Sequence, residues 1–151
     1  MILKIAVLSG DGIGPEVTEQ SIKVLKSLGK KFNHKIELDN GLVGAVAIDK
    51  YNDPYPDETH QVCLNSDAIL FGAIGDPKYD NDPKAKVRPE QGLLKMRKKL
   101  GLYANLRPTK VFESLLEMSP LKEERISGTD ILFVRELTGG IYFGERGRKD
   151  N

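Results

Sequence analysis

The chain has 151 residues, the length of one ordinary domain and enough to bury a sizeable core. Its 23 Lys and Arg balance 22 Asp and Glu for a net charge of +1, so no basic excess argues for nucleic acid and no polybasic run for an anionic membrane. The longest apolar stretches, such as Ala68-Ile69-Leu70-Phe71, are far too short to cross a bilayer, and a single Cys63 rules out an internal disulfide and suits a reducing cytoplasm.

Ile2-Leu3-Lys4-Ile5 opens a strand with no basic leader before an apolar run, so no signal peptide is expected. The strand, residues 4–8, ends at Ser9-Gly10-Asp11-Gly12-Ile13-Gly14, and Pro15 stands where a helix begins, a position that tolerates its missing N–H. Val17, Ser21, Val24, Leu25 and Leu28 recur at helical spacing until Gly29 stops the run. Strand, glycine turn and helix form the first half of a βαβ unit. A second strand is predicted at 35–39 and a short helix at 45–51, broken by Asn52-Asp53-Pro54-Tyr55-Pro56. Asp57 is expected to cap another helix reaching about Asn65, which carries Cys63 as an inert, half-buried thiol. Residues 67–73 read as a clean buried strand, followed by Gly75-Asp76-Pro77.

Residues 76–89 are charged, proline-bearing and aperiodic, and read as a long loop of the kind that is usually functional or disordered. A strong helix follows at 90–100, closed by Gly101. Leu102, Ala104 and Leu106 then alternate with Tyr103, Asn105 and Arg107, which points Arg107 away from the apolar face. Pro108 ends that strand or places it at an edge. Residues 120–128 form a polar connection, 131–134 a buried strand ending at Arg135-Glu136, and Thr138-Gly139-Gly140 a turn into Ile141-Tyr142-Phe143-Gly144. The hydrophilic tail is 145–151.

The glycine turn invites a dinucleotide-binding reading and fails it on spacing, because the sixth position of G-x-G-x-x-G is Pro15. No Lys-Ser or Lys-Thr closes a phosphate loop either. What survives is a tight turn feeding a helix N-terminus, whose N–H groups favour anionic or polar ligands; many such turns use glycine only for packing. A sharper set is Arg97, Arg107 and Arg135, with Leu93-Leu94 upstream and Tyr142 downstream. Arginine forks pair two-on-two with carboxylates, so three of them beside an apolar pair suit a small molecule with several carboxylates and one greasy branch. Glu90, Leu94 and Arg97 lie at i, i+4 and i+7 on one helix face, with Leu93 beside them. The bland reading stays open: core leucines at helical spacing, with charged residues at the solvent margin in weak ion pairs.

Gly10-Asp11-Gly12-Ile13-Gly14-Pro15-Glu16-Val17 resembles the opening of the β-decarboxylating dehydrogenases. Arg88-Pro89-Glu90-Gln91-Gly92-Leu93-Leu94, Asn105-Leu106-Arg107-Pro108 and Val134-Arg135-Glu136-Leu137-Thr138-Gly139-Gly140-Ile141-Tyr142-Phe143-Gly144 resemble its isopropylmalate dehydrogenase branch, in the same order and over essentially the whole chain. The Leu93-Leu94 pair separates this branch from isocitrate and homoisocitrate relatives, which place polar or basic residues there. By this resemblance the fold is α/β and isopropylmalate dehydrogenase-like, a parallel or mixed sheet flanked by helices, incomplete without the C-terminal half. Residues 1–101 are then the N-terminal part of the first α/β domain, and 102–151 the start of a second, substrate and dimerisation domain.

The resemblance also implies roles. Arg97, Arg107 and Arg135 hold the carboxylates and hydroxyl region of 3-isopropylmalate, while Leu93 and Leu94 receive its isopropyl group. Ile13, Glu90 and Asp76-Pro77-Lys78 lie along the nicotinamide half of NAD, and Tyr142 donates a proton in the later, decarboxylated stage. The implied reaction is oxidation of the 2-hydroxyl by hydride transfer and then loss of CO2, giving the 2-oxoisocaproate of leucine biosynthesis. Mg2+ or Mn2+ polarises the oxygen at carbon 2. The implied enzyme is a cytoplasmic homodimer. The family's general-base lysine, metal-binding aspartates and adenosine loop lie beyond the matched residues, and Asp53, Asp80 and Asp82 sit in loops without metal-ligand spacing. The chain is therefore expected to hold no metal ligand and to be inactive alone. Two other readings stay open: a non-catalytic half-enzyme module, and a relative acting on tartrate- or malate-type 2-hydroxy acids, against which Leu93-Leu94 argues.

Overall fold

The computed structural model describes residues 1–80, 86–137, 139 and 147. The chain divides into two compact units, Met1–Leu100 and Gly101–Asn151. The first is built on a parallel three-stranded sheet in the order β2-β1-β3, from β1 (Ile2–Gly10), β2 (Lys35–Asn40) and β3 (Ala68–Ala73). Its helices are α1 (Gly14–Phe32), α2 (Ala45–Tyr51), α3 (Asp57–Leu64), α4 (Pro77–Asp80) and α5 (Pro89–Lys99). Pairing sets Ala6 against Ile69 and Leu8 against Phe71, so these four share one face of the sheet. That face meets Val43, Tyr55, Cys63 of α3 and Met96 of α5 in the main hydrophobic cluster. Gly72 looks to the opposite face, where it meets Thr18 of α1.

Helix α1 departs from the predicted pattern in two ways. It runs past Gly29 to Phe32, and the left-handed residue that ends it is Asn33, with φ 54°. Gly29 is buried because β2 passes close by: an added Cβ would lie 3.0 Å from the His34 carbonyl oxygen. The buried positions of α1 are Gly14, Thr18 and Gly29, whereas Val17, Val24 and Leu28 are exposed. Of the periodic residues only Ser21 and Leu25 are half-buried, so the apolar period marks the buried side only in part.

Other elements shift for local reasons. The N-cap of α3 is Pro56, and Asp57 is the first helical residue; its carboxylate accepts from Lys99 Nζ at 2.6 Å instead of capping. Strand β3 is half-buried rather than fully buried, as befits an edge of the three-stranded sheet. The expected long loop contains α4, which takes in Asp80, and residues 81–85 lie outside the described set.

The second unit is an antiparallel ribbon of β4 (Ala104–Lys110) and β5 (Asp130–Glu136). Between them lie a 3-10 turn at Glu113–Met118 and a short helix α6 (Glu123–Ile126), neither foreseen from the sequence. Pro108 stands inside β4 opposite Leu132, which a two-stranded ribbon permits because each strand is an edge. Every residue of β5 is exposed, against the expectation of a buried strand. Among the described residues no helix is long and apolar enough to cross a membrane.

Candidate functional site

In parallel α/β sheets ligands gather at the carboxyl ends of the strands. Here the end of β1 is the glycine turn, and it is knitted to the end of β3. Asp11 N–H donates to the Ala73 carbonyl at 2.8 Å. An added Cβ on Gly14 would run into the Ser9 carbonyl oxygen, so this glycine serves close packing of α1 on the sheet. Ile13 is left exposed on the turn. Gly75 adjoins both the turn and α5: an added Cβ there would meet Glu90 Oε1 at 3.3 Å, and the Gly75 carbonyl oxygen is 3.8 Å from the Cβ position of Gly12. Ile13, Gly75 and Glu90 are thus brought to one neighbourhood.

Asp76-Pro77-Lys78 follows directly. The Asp76 carboxylate accepts from the Lys78 N–H at 2.9 Å, and the Asp76 carbonyl from the Tyr79 N–H at 2.9 Å, closing the first turn of α4. The Lys78 ammonium reaches Asp49 of α2 at 2.6 Å, and the Tyr79 hydroxyl donates to the same oxygen at 2.6 Å. The hydrogen bond from Lys78, and next that from Tyr79, hold the Asp49 carboxyl below its ordinary value. Lys78 is therefore a fastening as well as a candidate contact.

Helix α5 sorts its residues by face. Pro89 opens it, and the Gln91 side chain accepts from the Arg88 N–H at 3.1 Å, answering a donor at the helix start. Gly92 lies against Pro54, whose carbonyl oxygen would be 2.5 Å from an added Cβ. Met96 is in the core cluster, and Leu93 and Leu100 pack against it. Lys95 and Lys99 pair with Asp53 and Asp57, each at 2.6 Å. The remaining face carries Glu90, exposed, with Leu94 and Arg97 half-buried. So the structure separates the two leucines: Leu93 leans into the core, and Leu94 shares its face with Arg97.

On the ribbon, Asn105 pairs with Arg135 and Arg107 with Phe133. Residues opposite each other share a face and positions two apart repeat it, so Arg107 and Arg135 are diagonal neighbours on one face, with Asn105 directly across from Arg135. Tyr142 lies outside the described residues. No group of three or more His, Cys, Asp or Glu able to hold a metal occurs among the described residues. Cys63 is 5% exposed, more buried than expected, and burial pushes its thiol up, away from the activated nucleophile that catalysis needs.

The sequence reading missed Asp11, whose carboxylate is enclosed by backbone N–H groups of two distant segments. Its signal was a lone short acid within a glycine turn, a residue type suited to accepting from nearby amides. It also missed Asp49, which nothing in its helix marks out.

Residues 4–151 match the isocitrate/isopropylmalate dehydrogenase family. A Bacteroides fragilis protein named 3-isopropylmalate dehydrogenase is 59% identical over 146 residues, covering 97% of this chain and 41% of that protein. The Bacillus subtilis protein of the same name is 56% identical over 146 residues, again 97% of this chain and 40% of its own length. Among solved structures, isocitrate dehydrogenase from Methylococcus capsulatus superposes with a TM-score of 0.70 at 28% identity, over 93% of this chain and 36% of that one. The chain thus spans about two fifths of the length of the relatives it matches. The sheet, the glycine turn and the matched residues agree: the chain belongs to the isocitrate/isopropylmalate dehydrogenase family.

Proposed function

We propose that this chain supplies the substrate arginines and the nicotinamide-facing segment of an NAD-dependent 3-isopropylmalate dehydrogenase, an oxidoreductase of leucine biosynthesis. The observation that carries this reading is 59% identity over 97% of the chain to a protein of that name. Arg97, with Arg107 and Arg135 on the ribbon, binds and orients the substrate carboxylates. Leu94, with Leu93 behind it, receives the isopropyl branch. Tyr142 donates the proton after decarboxylation. Residues 102–151 begin the substrate and dimerisation domain, and the working enzyme is a cytoplasmic homodimer.

The first unit offers features that fit NAD: an exposed Ile13 on the glycine turn, Gly75 at φ 132° beside Glu90, and the short α4 that follows. Ile13, Asp76, Pro77, Lys78 and Glu90 would line its nicotinamide half. NAD, when bound, supplies the hydride acceptor. Among the described residues no group of three or more His, Cys, Asp or Glu fits Mg2+ or Mn2+. A relative acting on tartrate or malate would leave Leu94 without an apolar branch to meet.

The test is NADH formation by the full-length protein with NAD, Mg2+ and 3-isopropylmalate, and with malate and tartrate in its place. Turnover with kcat/KM highest for 3-isopropylmalate is expected. Preference for an unbranched acid would overturn the substrate assignment, and no NADH with any of them would overturn the activity.

A further inference from the structure

Asp11 is 2% exposed, yet all of its polar groups are engaged. Its Oδ2 accepts from the Ala45 N–H at 2.8 Å and the Gly75 N–H at 3.2 Å, and its Oδ1 from the Val46 N–H at 3.1 Å. Its own N–H donates to Ala73, and its carbonyl accepts from the Gly14 N–H at 2.8 Å. A buried carboxylate is tolerated when amides and a helix start answer its charge, and the first two residues of α2 supply both. Gly44, at φ 84°, precedes them; any side chain there would collide with the carboxylate.

This one residue therefore ties three segments: the turn that bears Ile13, the start of α2, and the segment between β3 and α4. Helix α2 returns to that same segment near its other end, where Asp49 holds Lys78 and Tyr79. Residues 75–79 are thus fastened twice, directly by Asp11 at Gly75 and through α2 at Lys78 and Tyr79.

We propose that Asp11 is a positioning residue, whose carboxylate holds Gly75, and with it Asp76-Pro77-Lys78, in register with the glycine turn so that the two present one surface to the nicotinamide. The proposal rests on the reading that these residues flank NAD, and its test separates the two. The full-length protein is compared with Asp11→Asn and Asp11→Ala by amide hydrogen exchange and by steady-state kinetics. With Asp11→Ala, residues 74–80 and 44–48 should exchange roughly tenfold faster or more, while residues 69–72 in the sheet stay protected. Asp11→Asn, which keeps one carbonyl acceptor, should fall between, and it carries the test where the alanine variant fails to fold. KM for NAD should rise about tenfold, with kcat and KM for 3-isopropylmalate changing less than about threefold.

Unchanged exchange at 74–80 overturns the proposal. So does a rise spread equally over the sheet, which marks a general structural role, and so does an unchanged KM for NAD in an active enzyme. An inactive wild type with the local exchange pattern overturns the NAD reading while supporting the fastening of Gly75 by Asp11.

Discussion

Leu93 packs against the cluster that contains Tyr55 and Met96, whereas Leu94 shares a face with Glu90 and Arg97. Truncating the two should therefore separate stability from recognition. Leu93→Ala should lower unfolding stability by about 1–3 kcal/mol, below the range for a fully buried leucine because the site is half-buried. Leu94→Ala should leave stability within about 1 kcal/mol but lower kcat/KM for 3-isopropylmalate roughly tenfold or more, the scale of a lost apolar contact. Denaturant melts and steady-state kinetics on both variants check this; equal effects on both measures would show that the helix does not divide its leucines as described. A second consequence concerns pH. Burial raises the Tyr55 phenol, with a hydrogen bond to Cys63 next in effect, and burial raises the Cys63 thiol. Both groups stay protonated in the fold after their unfolded counterparts ionise. Stability is then fully present below the unfolded values, about 8.5 for Cys and 10 for Tyr, and falls as pH rises through and beyond them. Each such group contributes a loss of about 1.4 kcal/mol per pH unit in that window. Urea melts from neutral to alkaline pH should show the decline, and Cys63→Ala should remove the part that begins nearest pH 8.5. An alkaline profile identical in wild type and variant would count against it.

Helix α5 is held by steric fit as much as by charge, since Gly92 lies against Pro54 while Lys95 and Lys99 reach Asp53 and Asp57. Those ion pairs are partly or largely exposed, so each contributes little. Gly92→Ala sets a helix-propensity gain of about 1 kcal/mol against an overlap with the Pro54 carbonyl. Overpacking of a close contact typically costs about 1–3 kcal/mol, so the overlap should win. The variant should be less stable and, because α5 also carries Leu94 and Arg97, should show a raised KM for 3-isopropylmalate. A Gly92→Ala protein more stable than wild type, with unchanged KM, would show that the contact yields freely. The same helix shows what a sequence makes legible. Its extent, like that of α2, was visible because Pro, Gly and apolar spacing bracket it. The 3-10 turn at Glu113–Met118 and α6 were too short to display a period. In α1 the period was clear, but close approach to the sheet puts Gly14, Thr18 and Gly29 rather than larger apolar residues at the buried positions. The arginines proposed to bind substrate were legible as residue types in familiar motifs. Asp11 was not, because its partners come from residues 45, 46 and 75, and only the fold brings them together.

At the scale of the whole molecule the ribbon is the telling part. Leu106, Leu132 and Val134 lie on one face of it and are 59%, 55% and 63% exposed. Phe133 and Ile131 are exposed on the other, beside Arg107 and Arg135. In the first unit, Val17, Val24 and Leu28 form an exposed apolar row along α1. Contiguous apolar surface of this kind marks contact with other polypeptide, and a ribbon with two edges adds unpaired backbone groups that recruit further strands. The relatives that share this sequence are more than twice as long, since it covers 41% and 40% of them. The 151-residue chain expressed by itself should therefore associate, eluting from a sizing column ahead of a 16.8 kDa monomer. It should also form no NADH from NAD, Mg2+ and 3-isopropylmalate, because no group able to hold a metal occurs among the described residues and the chain spans about two fifths of the length of its relatives. Light scattering and the same absorbance assay on mass-verified material decide both points. A monodisperse monomer would mean that these apolar faces recruit no second chain. NADH formation would mean that this chain completes a catalytic site from residues it already carries.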